Sequence, residues 1–394
     1  MSPVLPFDII ELIINIVGEN EDTDLLKELA LVSNSFLQIC RKHLFADVRL
    51  YDSYSYVRGT KKGFIKLLES RPDAVNYIST LMYEVSDNMN NDDDHLFPPI
   101  LLNFLPTFSR LASLTIIARR DWNTLDISLT SAFLHLMHLP TMNHIDLSHI
   151  QNFPLSSLIP SVNLLRLDMY MCSSSPLRED DYHEVVVEIM PKIREFRTSS
   201  SSLLTTRLLH AKTQDGRPAF NFMALRRVSM SFEDFEGERN IRYLLQNAKL
   251  LEKLDLSSYG GRSLVGLLTL SAHTLKILDL YVPLCRDSVF LGGICEELEA
   301  WAGHDMLEAL SIEVIVTRLD TEDFIASIFQ KVESVLVKPG WSSLRQVTFI
   351  HPVKRSNGPK LLKAQQSLFD KYLSRLSKFE SVAFNYLYST YSPQ

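Results

Sequence analysis

The sequence predicts an α/β chain in which a small trihelical unit is followed by a curved solenoid, with parallel strands inside and helices outside. Three observations predict it. Residues 5–50 carry three short helical patterns, each with an apolar face. A six-residue phrase, apolar-x-x-apolar-x-apolar, then recurs ten times from Leu111 onward with helix-like stretches between copies. The composition, 46% apolar and 22% charged over 394 residues, is that of a globular chain long enough for two or three domains or one elongated array. The expected division is residues 4–50 for the opening module, 51–75 for a connector containing a short helix, and 76–394 for the array.

In the opening module, Pro6 stands where a helix can begin without its N–H. Asp8 and Glu11 follow in the first turn, where negative charge suits the helix dipole. Between Asp8 and Val17 the polar positions are Asp8, Glu11 and Asn15, which share one narrow stripe. The rest of that helix is apolar, so most of its circumference is expected to be covered. Gly18 reads as its stop. A second helix is expected over 24–32, with Leu25, Leu26, Leu29 and Ala30 on one side. A third is expected from about Ser35, through the capping-box form Ser35-Phe36-Leu37-Gln38, with Phe36, Cys40 and Leu44 on one face. Three such helices have more large apolar residues than their own small core can hide. The surplus must lie against the rest of the chain or against a second protein.

Leu5-Pro6, Asp8-Ile9-Ile10, Leu31-Val32-Ser33 with Phe36, Cys40-Arg41 and Leu44-Phe45 together resemble an F-box. The resemblance covers roughly residues 4–50. It implies a trihelical module that docks on a Skp-type adaptor of a cullin–RING ubiquitin ligase. Carried over by position, the adaptor-contacting residues are Leu5, Pro6, Ile9, Ile10, Leu31, Val32, Ser33 and Phe36. The alternative is that the same helices merely cap the following domain.

After the connector, a short helix is expected over 62–70, ended by Arg71-Pro72-Asp73. Copies of the phrase begin at Leu111, Met142, Leu164, Ile193, Leu225, Leu251, Leu275, Leu307, Leu344 and Phe379, and a weaker one at Ile78. Steps from Leu111 onward are 31, 22, 29, 32, 26, 24, 32, 37 and 35 residues. Helices are expected over 129–139, 182–190, 203–212, 240–248, 263–272, 289–301, 321–332 and 361–376. Strands at a fixed place in each unit, joined by crossovers, stack as a parallel sheet. The segments 87–99, 172–181, 213–221 and 351–359 read as loop insertions, and 386–394 as an uncapped end. Roughly residues 76–390 resemble an irregular leucine-rich-repeat array. That family's Asn or Cys at the turn after the strand has one good match, Cys172.

The third, fifth and seventh positions of the phrase are expected on the concave face. The fifth positions run Thr115, Asp146, Asp168, Arg197, Ser229, Asp255, Asp279, Ser311, Thr348 and Ala383. The candidate substrate face is therefore Asp146, Arg166, Asp168 and Tyr170 together with Lys253, Asp255, Asp279 and Tyr281. Such a groove suits a partner with basic side chains, although exposed strand positions are commonly polar in any case.

No apolar run reaches the roughly 18 residues needed to cross a bilayer, and the run from Ile9 to Val17 lacks the basic flank of a signal peptide. No membrane association is expected. The net charge of −7 argues against nucleic acid as the main partner. Four scattered cysteines fit a reducing compartment, cytoplasm or nucleus. His135, His138, His144 and His149 lie close in sequence without a completing ligand pattern, so no metal site is assigned. Gly260-Gly261 and Gly292-Gly293 lack the rest of a phosphate loop, and serines 199–202 lack the glycines of a nucleophile elbow. No cofactor and no catalytic residue are assigned. The expected role is substrate receptor of a Skp–cullin–F-box ubiquitin ligase. A leucine-rich scaffold without a ligase role is the alternative, and an unrecognised hydrolase ranks last.

Overall fold

The computed structural model describes residues 6–20, 22–51, 60–85, 104, 107–173, 190–213, 215–232, 234–258, 266–284, 290–302, 306–316, 330–354 and 382–391. The expected helices over 182–190 and 361–376, and the expected loop over 87–99, lie essentially outside these residues. The chain forms two compact units, residues 1–191 with 212–219, and residues 192–211 with 220–394.

The first unit opens with α1 (Phe7–Glu19), α2 (Thr23–Ala30) and α3 (Asn34–Leu44). Their shared core is Ile14, Leu26, Ile39 and Cys40, with Ile10, Val17, Leu29, Phe36 and Leu44 packed around it. Two local readings are corrected. Gly18 does not stop α1; it lies inside the helix, where an added Cβ would fall within the His43 ring of α3. The glycine is there for close helix approach, not for termination. The cap of α3 is Ser33, not Ser35: the Phe36 N–H donates to Ser33 Oγ at 3.2 Å. Asp22 caps α2 in the same way, accepting from Leu25 N–H at 3.1 Å.

The sheet of this unit begins inside the span read as the opening module. Strand β1 (Asp47–Leu50) follows α3 directly and pairs in parallel with β2 (Thr80–Glu84), which sits at the weak Ile78 phrase. Between them, α4 (Thr60–Ser70) and a 3-10 turn, Pro72–Tyr77, form the crossover. Strands β3 (Ser113–Ile117), β4 (His144–Ser148) and β5 (Arg166–Tyr170) continue in sequence order, all parallel. Helix α5 (Ile127–Met137) crosses from β3 to β4 and is N-capped by Asp126.

The second unit repeats the plan. Strands β6 (Glu195–Ser199), β7 (Arg227–Phe232), β8 (Lys253–Ser258), β9 (Ile277–Leu284), β10 (Ala309–Val316), β11 (Gln346–Lys354) and β12 (Ala383–Tyr391) pair in parallel in that order. The crossovers include α6 (Ser202–His210), α7 (Phe235–Asn247) and α8 (Phe290–Trp301). In place of the helix expected over 263–272, the described part, Leu268–Ser271, is a 3-10 turn. The buried Glu297 carboxylate of α8 accepts from Gly266 N–H, from Leu268 N–H at 2.9 Å and from Thr269 N–H at 3.2 Å, holding that turn open at its start. The segment 351–354 continues β11 instead of looping, and 386–391 is strand, not a loose end.

One backbone pattern recurs in both units. The carbonyl just before a strand accepts two consecutive N–H groups of the next repeat. Ala46 accepts from Ser79 and Thr80, Ser79 from Ala112 and Ser113, and Arg226 from Glu252 and Lys253, all at 2.8–3.0 Å. In the phrases from Ile78 to Leu344 the fourth and sixth residues, such as Leu114 and Ile116 or Leu254 and Leu256, are buried, and the alternate residues line the opposite face. This is a solenoid-like α/β arrangement within each unit.

Candidate functional site

Two kinds of surface emerge: an apolar one on the opening helices and a polar one on each sheet.

On α1, Ile10, Ile14 and Val17 face the module's core, because they recur at helical spacing. Phe7, Ile9, Leu12, Ile13 and Ile16 are left exposed, with Ile9 at 43% and Leu12 at 54%. The helix is thus not covered on most of its circumference, contrary to expectation. In the α2–α3 turn, Leu31 is 87% and Val32 65% exposed. Of the residues expected to meet an adaptor, Pro6, Ile9, Leu31 and Val32 are open to solvent. Ser33 is committed to capping α3, and Ile10 and Phe36 pack on the inner core. Leu5 lies outside the described residues. The outer polar edge is tied together by Lys42 to Glu11 at 3.1 Å and His43 to Asn15 at 2.9 Å. Burial holds the His43 imidazole below its ordinary value, only partly offset by the charge of Glu19.

On the sheet of the first unit, Ser113, His144 and Arg166 share one row, and Thr115, Asp146 and Asp168 the next. Ser113 Oγ lies 2.8 Å from His144 Nδ1, and His144 Nε2 lies 3.2 Å from Asp168 Oδ2. Sequence order did not show this serine–histidine–aspartate relay; the register brings it together. Arg166 donates to both oxygens of Asp168, its shortest bond being 2.6 Å. Burial alone would raise the Asp168 pKa, but the hydrogen bonds and charges of His144 and Arg166 outweigh it and hold the carboxyl below its ordinary value. Because a permanent cation already takes both oxygens, the aspartate is spent on Arg166 instead of waiting for an imidazolium. The set reads as a self-satisfied polar ladder. Tyr170, beside it, stands edge-on to His149 with ring centres 5.1 Å apart. Cys172 is buried; its thiol donates to the Leu147 carbonyl at 3.2 Å, and burial pushes its pKa up to about 11. His138, read beside the metal question, bonds the Ser157 carbonyl at 2.8 Å. Among the described residues no group of three or more His, Cys, Asp or Glu side chains could hold a metal ion.

On the sheet of the second unit, the exposed face carries a cavity of about 590 Å³. Ser229, Asp255, Asp279, Ser311 and Thr348 align across β7–β11. The last strand departs from the column read in the sequence: Thr348 pairs with Asn385, not Ala383. The true phrase of that repeat is two residues later than Phe379. In the cavity, Lys253 Nζ lies 2.7 Å from Asp279 and 3.3 Å from Asp255. Burial first, then the hydrogen bond and charge of Asp279, push the Asp255 carboxyl up to about 6 against the pull of Lys253. Lys253, Asp255, Asp279 and Tyr281 were all expected here and all line the cavity. Ser257 and Glu313 also line it and were not singled out. Both occupy the seventh position of their phrases, so the signal for them was present.

Fold and surface together define a class: a parallel-sheet α/β repeat chain with an oily helical prefix and an acidic cavity on one sheet face. Compared with known proteins, the chain matches no family model and no curated protein. No helix among the described residues is long and apolar enough to cross a membrane.

Proposed function

We propose that the chain is the substrate-recognition subunit of a Skp–cullin–F-box ubiquitin ligase. In this reading the opening helices are an F-box that docks a Skp-type adaptor, and a leucine-rich-repeat array holds the protein to be modified. The observation that carries it is the exposed apolar set of Ile9, Leu12, Ile13, Ile16, Leu31 and Val32, on helices whose other faces already fill a core. Several large apolar side chains left exposed on one small module are the mark of a protein-binding surface. The receptor does no covalent chemistry; it raises the local concentration of a target lysine near the ligase. The test is a pull-down with a Skp-type adaptor. The full chain is expected to retain it, and the double variant Pro6→Ala, Val32→Asp to lose it, since both residues are exposed and neither belongs to the module's core. Undiminished retention by the double variant would overturn the reading.

A second reading has one observation in its favour. Strand β1 runs straight out of α3 and pairs with β2, so the helices are continuous with the array. That is what a terminal cap on a leucine-rich scaffold would look like. A wild-type chain that retains no adaptor in the same pull-down favours the cap.

A further inference from the structure

The floor of the second unit's cavity is two adjacent rows of side chains. One runs Ser229, Asp255, Asp279, Ser311; the next runs Ser257, Tyr281, Glu313, Ile350. Neighbours in a row are about 4.8 Å apart, the strand spacing of a sheet. Among the described residues lining the cavity, three carboxylates therefore face one ammonium, and that ammonium, Lys253, is already held by Asp279 and Asp255. Glu313 is different. It is half-buried, burial raises its pKa with no charged neighbour to oppose it, and it makes no hydrogen bond or ion pair among the described residues. Its row neighbours are a ring, Tyr281, and an aliphatic side chain, Ile350. Ser257 Oγ is a buried polar atom without a hydrogen-bond partner, whereas Asp255 Oδ1 is met by the Lys253 ammonium. Half-burying a carboxylate and stranding the Ser257 hydroxyl is unfavourable unless something supplies donors.

We propose that this cavity binds an arginine side chain of a partner polypeptide, with the guanidinium on Glu313 and the methylene stem against Tyr281 and Ile350. The inference rests on reading the sheet face as the surface that holds a protein substrate. An anion is repelled by the carboxylate excess. A hard metal ion needs several converging free oxygens, and Asp255 and Asp279 are taken up by Lys253. A guanidinium has five donors in a planar fork, which suits one carboxylate plus acceptors such as Ser257 Oγ, and its plane stacks on an aromatic ring. The cavity exceeds one side chain in size, leaving room for the flanking residues of an extended segment.

The test titrates the full-length chain with N-acetyl-arginine methylamide, followed by saturation-transfer NMR at neutral pH, with the uncharged citrulline analogue as control. Saturable binding of the arginine probe is expected, with the citrulline probe weaker by about tenfold or more. Glu313→Gln is expected to weaken the arginine probe about tenfold. Lys253→Met is expected to strengthen it several-fold by removing the internal cation, a gain that misfolding cannot mimic. Absence of saturable binding, equal binding of citrulline, or an unchanged Glu313→Gln overturns the proposal. Adaptor retention is measured separately. Failure here with the adaptor still bound sinks only the cavity, and an arginine-binding chain that ignores the adaptor sinks only the ligase role.

Discussion

At the scale of single residues, backbone geometry decides what identity each position tolerates. Gly18 sits beneath the His43 ring, so Gly18→Ala must displace that ring and its 2.9 Å bond to Asn15. The expected loss is about 1–3 kcal/mol, the range for overpacking a fitted contact. In a His43→Ala background the same change should become neutral or stabilising, because only the helix preference of alanine remains. Chemical denaturation of the four chains of that cycle checks it. Turns after three strands use non-glycine residues in the left-handed region: His149, Met171 and Ser200, at φ of 58°, 50° and 50°. Met171 is 46% exposed, so Met171→Gly should relieve strain at the cost of part of its burial and raise stability by about 0.5 kcal/mol. A thermal midpoint that falls instead would show that relief of strain does not outweigh the lost packing. None of this is legible in sequence, where Gly18 reads as a helix stop and Met171 carries no signal of a left-handed turn.

At the scale of elements, the repeat phrase is the dependable signal. The ten copies from Leu111 onward and the weak one at Ile78 each mark a strand. The same phrase stands at Phe45, Val48 and Leu50, where it builds β1, yet it is masked in sequence by its place at the end of a helical module. At Phe379 the phrase is shifted by two residues, a slip that keeps every side chain on its own face because strands alternate with period two. Crossovers are harder to read, because a long-range partner can replace local propensity. The 3-10 turn Leu268–Ser271 exists where a helix is expected because Glu297, nearly thirty residues away, takes its first N–H groups. Glu297→Ala should cost about 1–3 kcal/mol by stranding those donors, with Glu297→Gln closer to wild type. Hydrogen exchange at Leu268 and Thr269 reports the effect directly.

At the scale of the whole molecule, the two sheets respond to pH with opposite sign. Asp168 in the first unit is held below the ordinary carboxylate value of 3.8. Its contribution is present above that value and is lost as pH falls through the folded pKa. Asp255 in the second unit is raised from 3.8 to about 6. Between those values the folded chain binds the extra proton, so stability falls as pH rises through this window. Urea denaturation between pH 4 and 6 should show that decline, and Asp255→Asn should flatten it. An unchanged slope in the variant would assign the decline elsewhere.

The sequence by itself determined the parallel strands, the order of most crossovers and the surplus of apolar surface on the opening helices, because periodicity alone sets which side chains share a face. Only the tertiary structure decided which of those side chains are used up: that Arg166 consumes Asp168, that Ile10 and Phe36 turn inward, and that Glu313 has no partner among the described residues. Pairing of charges and closeness of helices depend on distances between strands and helices far apart in the chain, and no local pattern encodes those distances.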